Sequence, residues 1–154
     1  MAATFQWSES NGAGETVTDG ISNLNFGNLD SPNLSSPNNR VIAGQNSYEK
    51  WMRGKFSGVY TTIDNLKFYK SAGTLPANVS IKAAVNAAYA TPTTSTSVVA
   101  TSNVPTTLGT ALVPTDPGAS PDYSGYMIMQ MQTTGAATPG AVATQTFTLQ
   151  YDEV

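Results

Sequence analysis

The chain has 154 residues, no Cys and no His, a formal net charge of -3 and only 11% charged residues. That length suits one domain with one core, and the two missing residue types exclude a disulfide framework, a thiol nucleophile, a Cys/His zinc site and a histidine general base. The start, Met1 to Trp7, has no basic stretch followed by an apolar core, and no run approaches the length of a membrane span. The chain is therefore expected to be soluble, made without classical export and without a membrane partner.

Thr, Asn, Gly and Pro interrupt any sustained 3.6-residue apolar period, so the expected class is mainly β: a single antiparallel β-sandwich over 1–154, jelly-roll-like or immunoglobulin-like, with long loops. Near the start, Gly12-Ala-Gly14 lacks both the P-loop ending and the dinucleotide glycine pattern, and reads as a tight bend between Trp7 and Val17. Residues 23–39 concentrate Asn, Ser and Pro yet carry Leu24, Phe26, Leu29 and Leu34. Such a segment is expected either to lie as an extended arm on another surface or to be pinned as a loop on its own domain.

The densest core signal follows. Tyr48 to Phe56 carries Trp51 and Phe56, with a short helical turn possible over 45–51, and Ile63 to Lys70 places Leu66 and Phe68 opposite Asn65, Lys67 and Tyr69. After a turn over 71–76, Asn78 to Val85 continues as a strand. Helix over 80–90 is the alternative, disfavoured by Val79, Ile81, Tyr89 and the following Thr91-Pro92. Residues 90–121 hold Pro92, Pro105, Pro114, Pro117 and Pro121 and read as an excursion, with short edge strands at 98–100 and 108–113. Tyr126 to Gln132 puts Tyr126, Ile128 and Gln130 on one face and three Met on the other, so both faces should be covered. The loop 133–143 is expected to join it to an antiparallel neighbour, Thr144 to Tyr151, in which Phe147, Leu149 and Tyr151 alternate with Thr and Gln.

Charge is segregated along the chain. All seven cations lie between Arg40 and Lys82, where only Glu49 and Asp64 oppose them, leaving +5 in that window and -4 on each side of it. Either the segment meets acidic surfaces of neighbouring subunits or the fold neutralises it internally. Arg53 and Lys55, as same-face neighbours, are the candidate contributors to a protein interface. Lys50, Arg53, Lys55, Lys67 and Lys70, interleaved with Trp51, Phe56, Phe68 and Tyr69, resemble a nucleic-acid surface in composition, but the chain is acidic overall and direct nucleic-acid binding is not expected.

Other constellations are thin. Asp116 with Asp122, or Asp19 with Asp30, share no strand register of the kind a glycoside hydrolase needs, and no catalytic residue is assigned. Asn28, Asp30 and Asn33 offer oxygen ligands without matching the twelve-position calcium loop, and neither metal nor cofactor is assigned. Tyr69, Tyr89 and Tyr123 are candidates for a carbohydrate groove. Asn78-Val-Ser80 fits a glycosylation acceptor but reads as a turn entering a strand.

The short start at Met1 to Trp7, the Asn/Pro-rich segment 23–39, the compact 48–85 block and the terminal Phe147-Thr-Leu-Gln-Tyr151 together resemble small structural proteins of tailed-phage particles, especially capsid decoration proteins. That resemblance implies a noncatalytic virion protein on the capsid surface, a homo-oligomer of which a trimer is one form, contacting the major capsid protein or neighbouring subunits. On that reading Phe26, Leu29 and Leu34 would strap a neighbour, and many copies would amplify a modest contact. The alternative is a carbohydrate- or host-surface-binding β module of a tail or fibre.

Overall fold

A computed structural model describes residues 2–35 and 37–154; Met1 of the expected start and Ser36 of the 23–39 segment lie outside the described residues. Nine strands form among the described residues: β1 (Ala3–Asn11), β2 (Thr16–Asp19), β3 (Lys50–Gly58), β4 (Ile63–Ala72), β5 (Val79–Asn86), β6 (Ser102–Asn103), β7 (Asp122–Tyr123), β8 (Tyr126–Thr133) and β9 (Thr146–Glu153). The only helical element among the described residues is a single 3-10 turn over Leu108–Thr110. The protein is mainly β and antiparallel.

The larger sheet runs β2-β1-β3-β8-β5-β6, with β7 also paired to β3, and the smaller sheet is β4-β9. Period-two alternation explains the packing between them. Met52 and Phe56 from β3, Ile81 and Ala83 from β5, and Met127 and Met129 from β8 meet Leu66, Phe68 and Leu149 from the smaller sheet in one buried cluster. Phe5 and Trp7 of β1 join its rim. Gly54 keeps this interface thin: a Cβ there would lie 2.8 Å from Phe5 and 2.9 Å from Leu149.

The opposite face of the larger sheet is covered too. Trp51, Tyr126 and Ile128 are buried beneath Tyr89, Val99 and Ala100 of the 87–101 segment. Gln130, fully buried among them, donates through Nε2 to the carbonyls of Ser47, Thr93 and Ser95 and accepts from the Ser97 N–H. Its polar side chain thus ties two long loops to the sheet with its hydrogen-bonding capacity used.

Several expectations are corrected. β8 and β9 are not neighbours: β8 lies between β3 and β5, while β9 pairs β4, so the loop after β8 crosses between layers. The 98–100 strand does not form, the Val99 and Ala100 N–H groups donating to Ser97 Oγ instead of a ladder, and at 108–113, between Pro105 and Pro114, there is a 3-10 turn and one bridge, Phe68 to Leu112. β3 begins at Lys50 with no helical turn before it, and β5 is strand rather than helix. The Gly12 to Gly14 bend closes the β1-β2 hairpin, and Asn78 enters β5 at φ 65° as a turn residue.

Candidate interaction surface

Strands β7 and β8 are one strand interrupted. Lys55 pairs Tyr123 and Met52 pairs Met127, so one extra residue lies on the β7-β8 side opposite β3. Ser124 and Gly125 occupy this bulge: the Ser124 N–H donates to Gly54 O at 2.8 Å, and the Gly54 N–H donates to Ser124 Oγ at 2.9 Å. In an uninterrupted strand, residues 123 and 126 would point to opposite faces. The bulge brings both to the outer face.

Arg53 projects between them. Its guanidinium carbon lies 4.4 Å from the centre of the Tyr123 ring and 4.4 Å from that of Tyr126. Two aromatic faces and a planar cation suit one another electrostatically and by shape. Nη2 donates to Glu15 Oε1 at 3.1 Å, and the same carboxylate accepts from the Tyr126 hydroxyl and from Ser10 Oγ. Two residues along β3, on the same face, Lys55 pairs with Asp19 at 2.5 Å, and Asp19 also accepts from Ser8 Oγ and the Tyr123 hydroxyl.

The β1-β2 hairpin supplies both acids, so its turn is locked onto the sheet. Tyr89 adds to this by donating to Gly12 O at 2.6 Å. Burial works to raise the Asp19 pKa, but hydrogen bonds from Lys55, Ser8 and Tyr123 outweigh it and hold the carboxyl below its ordinary value. Burial, reinforced by the Glu15 carboxylate, pushes the Tyr126 phenol up to about 12, and burial likewise raises Tyr89. Beside the clamp lies a depression of about 210 Å³ lined by Arg53, Tyr123, Tyr126, Thr115, Asp116 and Ser124, and Arg53 Nε faces no acceptor among the described residues.

Arg53 and Lys55 are thus brought together, as their spacing indicates, but each is neutralised by the chain's own N-terminal acids. Sequence reading missed those partners, Glu15 and Asp19, and the tyrosine pair; the small Ser124-Gly125 step inside a strand pattern is the signal that could have found the bulge. Phe26, Leu29 and Leu34 do not act together, and the extended-arm reading is corrected. Leu34 is buried, with Cδ1 against Gly27, and Phe26 packs its ring 6.4 Å from Phe147 in the core rim, leaving Leu29 alone exposed. The segment folds back because its hydrophobes find apolar surface on their own domain.

The remaining candidates disperse. Lys50 is interior, and Lys67 and Lys70 sit on the smaller sheet, so the five cations do not form one surface. Tyr69 is likewise on β4, while Tyr89 packs edge-on against Trp51 and at a tilt against Tyr126, so the three tyrosines line no common groove. Asp30 accepts from Asn11 Nδ2 and the Gly12 N–H, and Asn33 Oδ1 accepts from Ser22 and Asn23, which separates the oxygens grouped above as calcium ligands. Comparison with protein families, curated proteins and solved structures finds no match.

Proposed function

We propose that the protein is a noncatalytic virion structural component that decorates or stabilises a phage capsid through protein-protein contacts. One observation supports a structural role above others: each of the ten carboxylates accepts a hydrogen bond within the chain, and half of these bonds hold a loop or a chain end in place. Asp116 takes the Leu66 N–H, Asp122 the Gly118 N–H, and Glu153 the Ala3 N–H. Acids used this way position loops. Leu29, on the loop that Asp30 holds, and Ile42 and Val98, on loops held by Thr133 and Gln130, are 50, 60 and 90% exposed and serve as apolar contact points. The capsid as partner comes from the sequence resemblance, and many weak contacts of this kind become strong on a lattice.

The test is co-sedimentation with phage heads. Stoichiometric attachment, weakened at least severalfold by Leu29→Glu with Val98→Glu, is the expected result. Deleting 23–39 is unsuitable because it removes Leu34 and Phe26 from the core. The depression beside Arg53, Tyr123 and Tyr126 favours one second reading, a carbohydrate- or host-surface-binding module. Glycan retention abolished by Tyr123→Ala, with no attachment to heads, would replace the first reading with the second.

A further inference from the structure

Main-chain bonding around the smaller sheet identifies an open strand edge. The Phe68 N–H and C=O both bond Leu112, at 2.8 and 2.9 Å, and the Lys70 N–H donates to Pro105 O at 2.8 Å. These groups point away from β9. Antiparallel ladders alternate hydrogen-bonded and non-hydrogen-bonded pairs, so Phe68 with Leu149 and Lys70 with Phe147 belong to the second kind. At the other end, Thr62 and Val154 exchange both of their bonds, which puts Glu153 in the same class as Leu149. The N–H and C=O groups of Phe147, Leu149, Tyr151 and Glu153 therefore point to the side of β9 away from β4. Among the described residues they meet no main-chain partner there.

The β4 side is closed instead. Leu112 and Pro105 bond β4, and the Val104 N–H continues to Ile81 O of the larger sheet. The larger sheet also ends in short strands, β2 of four residues and β6 of two, the usual way of blunting an edge. β9 has eight residues, no proline and no basic side chain.

We propose that this edge pairs with the β9 edge of a second copy, antiparallel about Leu149. A two-fold arrangement sets Leu149 against its counterpart and Phe147 against Tyr151 of the second copy, giving about six new main-chain bonds and two aromatic cross-strand pairs. Charge selects the direction. With antiparallel strands, Asp152 lies opposite Thr146 of the second copy and the outer face pairs Thr148 with Gln150; parallel strands in register would stack Asp152 and Glu153 on their equivalents. The contact is derived from the ladder, and it deepens the assembly reading above by making the attaching unit a two-fold dimer.

Sedimentation equilibrium and amide hydrogen exchange test it without any capsid present. The native chain is expected at twice its 16.1 kDa mass, with the Leu149 and Tyr151 amides protected. Thr148→Lys with Gln150→Lys, which leaves the β9 backbone and core intact, puts like charges opposite one another and should return a folded monomer; Thr148→Glu with Gln150→Glu should do the same. Mixing the two variants should restore the dimer, an outcome misfolding cannot produce. A monomeric native chain, unprotected Leu149 and Tyr151 amides, or an oligomer indifferent to both variants overturns the pairing. Heads bound equally well by the monomeric variants would leave the decoration reading standing without the dimer, and a dimer that binds no heads would do the reverse.

Discussion

The hairpin and β3 carry ion pairs on both faces of the larger sheet, and the two faces hold them under different conditions. Inside, Lys50 Nζ meets Glu9 Oε1 at 2.8 Å with side chains 1 and 0% exposed, and Lys50 also donates to Ser31 O. Outside, Arg53-Glu15 and Lys55-Asp19 are between 17 and 32% exposed and are supported by tyrosines. The inner pair replaces part of its lost hydration with fixed partners at Glu9 Oε1, leaving Oε2 without one among the described residues, whereas the outer pairs retain part of theirs. The inner pair therefore acts as an obligate unit, and the outer pairs as adjustable clamps on the hairpin.

The largest expected effect is on the inner side. Lys50→Met should cost about 3–5 kcal/mol in urea unfolding, since it leaves the Glu9 carboxylate buried without its cation. Adding Glu9→Leu should recover most of that loss, and a single variant no worse than a surface change would erase the contrast between the faces. Next comes Gly54→Ala, whose Cβ meets Phe5, Leu149 and Phe56; overpacking of this kind costs about 1–3 kcal/mol. Gly14→Ala, with nothing within 4 Å, serves as the near-neutral comparison in the hairpin turn.

On the outer face, Arg53→Lys keeps the charge but loses the planar fit between two rings, and a loss of about 0.5–1 kcal/mol in thermal unfolding is expected. The pH response should be two-sided. Tyr126 ionises near 10 when unfolded and only at about 12 in the fold, so its contribution is complete below pH 10 and declines as pH rises through that window. Tyr126→Phe should flatten this alkaline limb. The lowered Asp19 pKa acts oppositely: its stabilisation is present above the ordinary value of 3.8 and is lost as pH falls through the lower folded value, a slope that Asp19→Asn should remove.

Legibility in the sequence followed the locality of the cause. The period of two in β4 and β9 and the two-sided burial of β8 are visible because alternation is a property of the strand itself. β1 escaped notice although Phe5 and Trp7 alternate with Thr4, Gln6 and Ser8: Glu9 occupies an inward position, and only Lys50 on the adjacent strand makes that tolerable. Of the candidate interface residues, Arg53 and Lys55 could be placed on one face by counting. Phe26 and Leu34 could not be placed, because a hydrophobe in a polar loop looks the same whether it meets its own core or a neighbour.

The sequence alone determined the mainly β class, the faces of individual strands and the excess of cations over 40–82, all set by residue spacing and side-chain chemistry. Tertiary structure decided that β9 pairs β4 rather than β8, that the N-terminal acids neutralise three of those cations, and that one extra residue at the bulge turns Tyr123 and Tyr126 toward Arg53. The physical reason is that alternation specifies which way a side chain points, while its partner depends on which distant strands share the sheet.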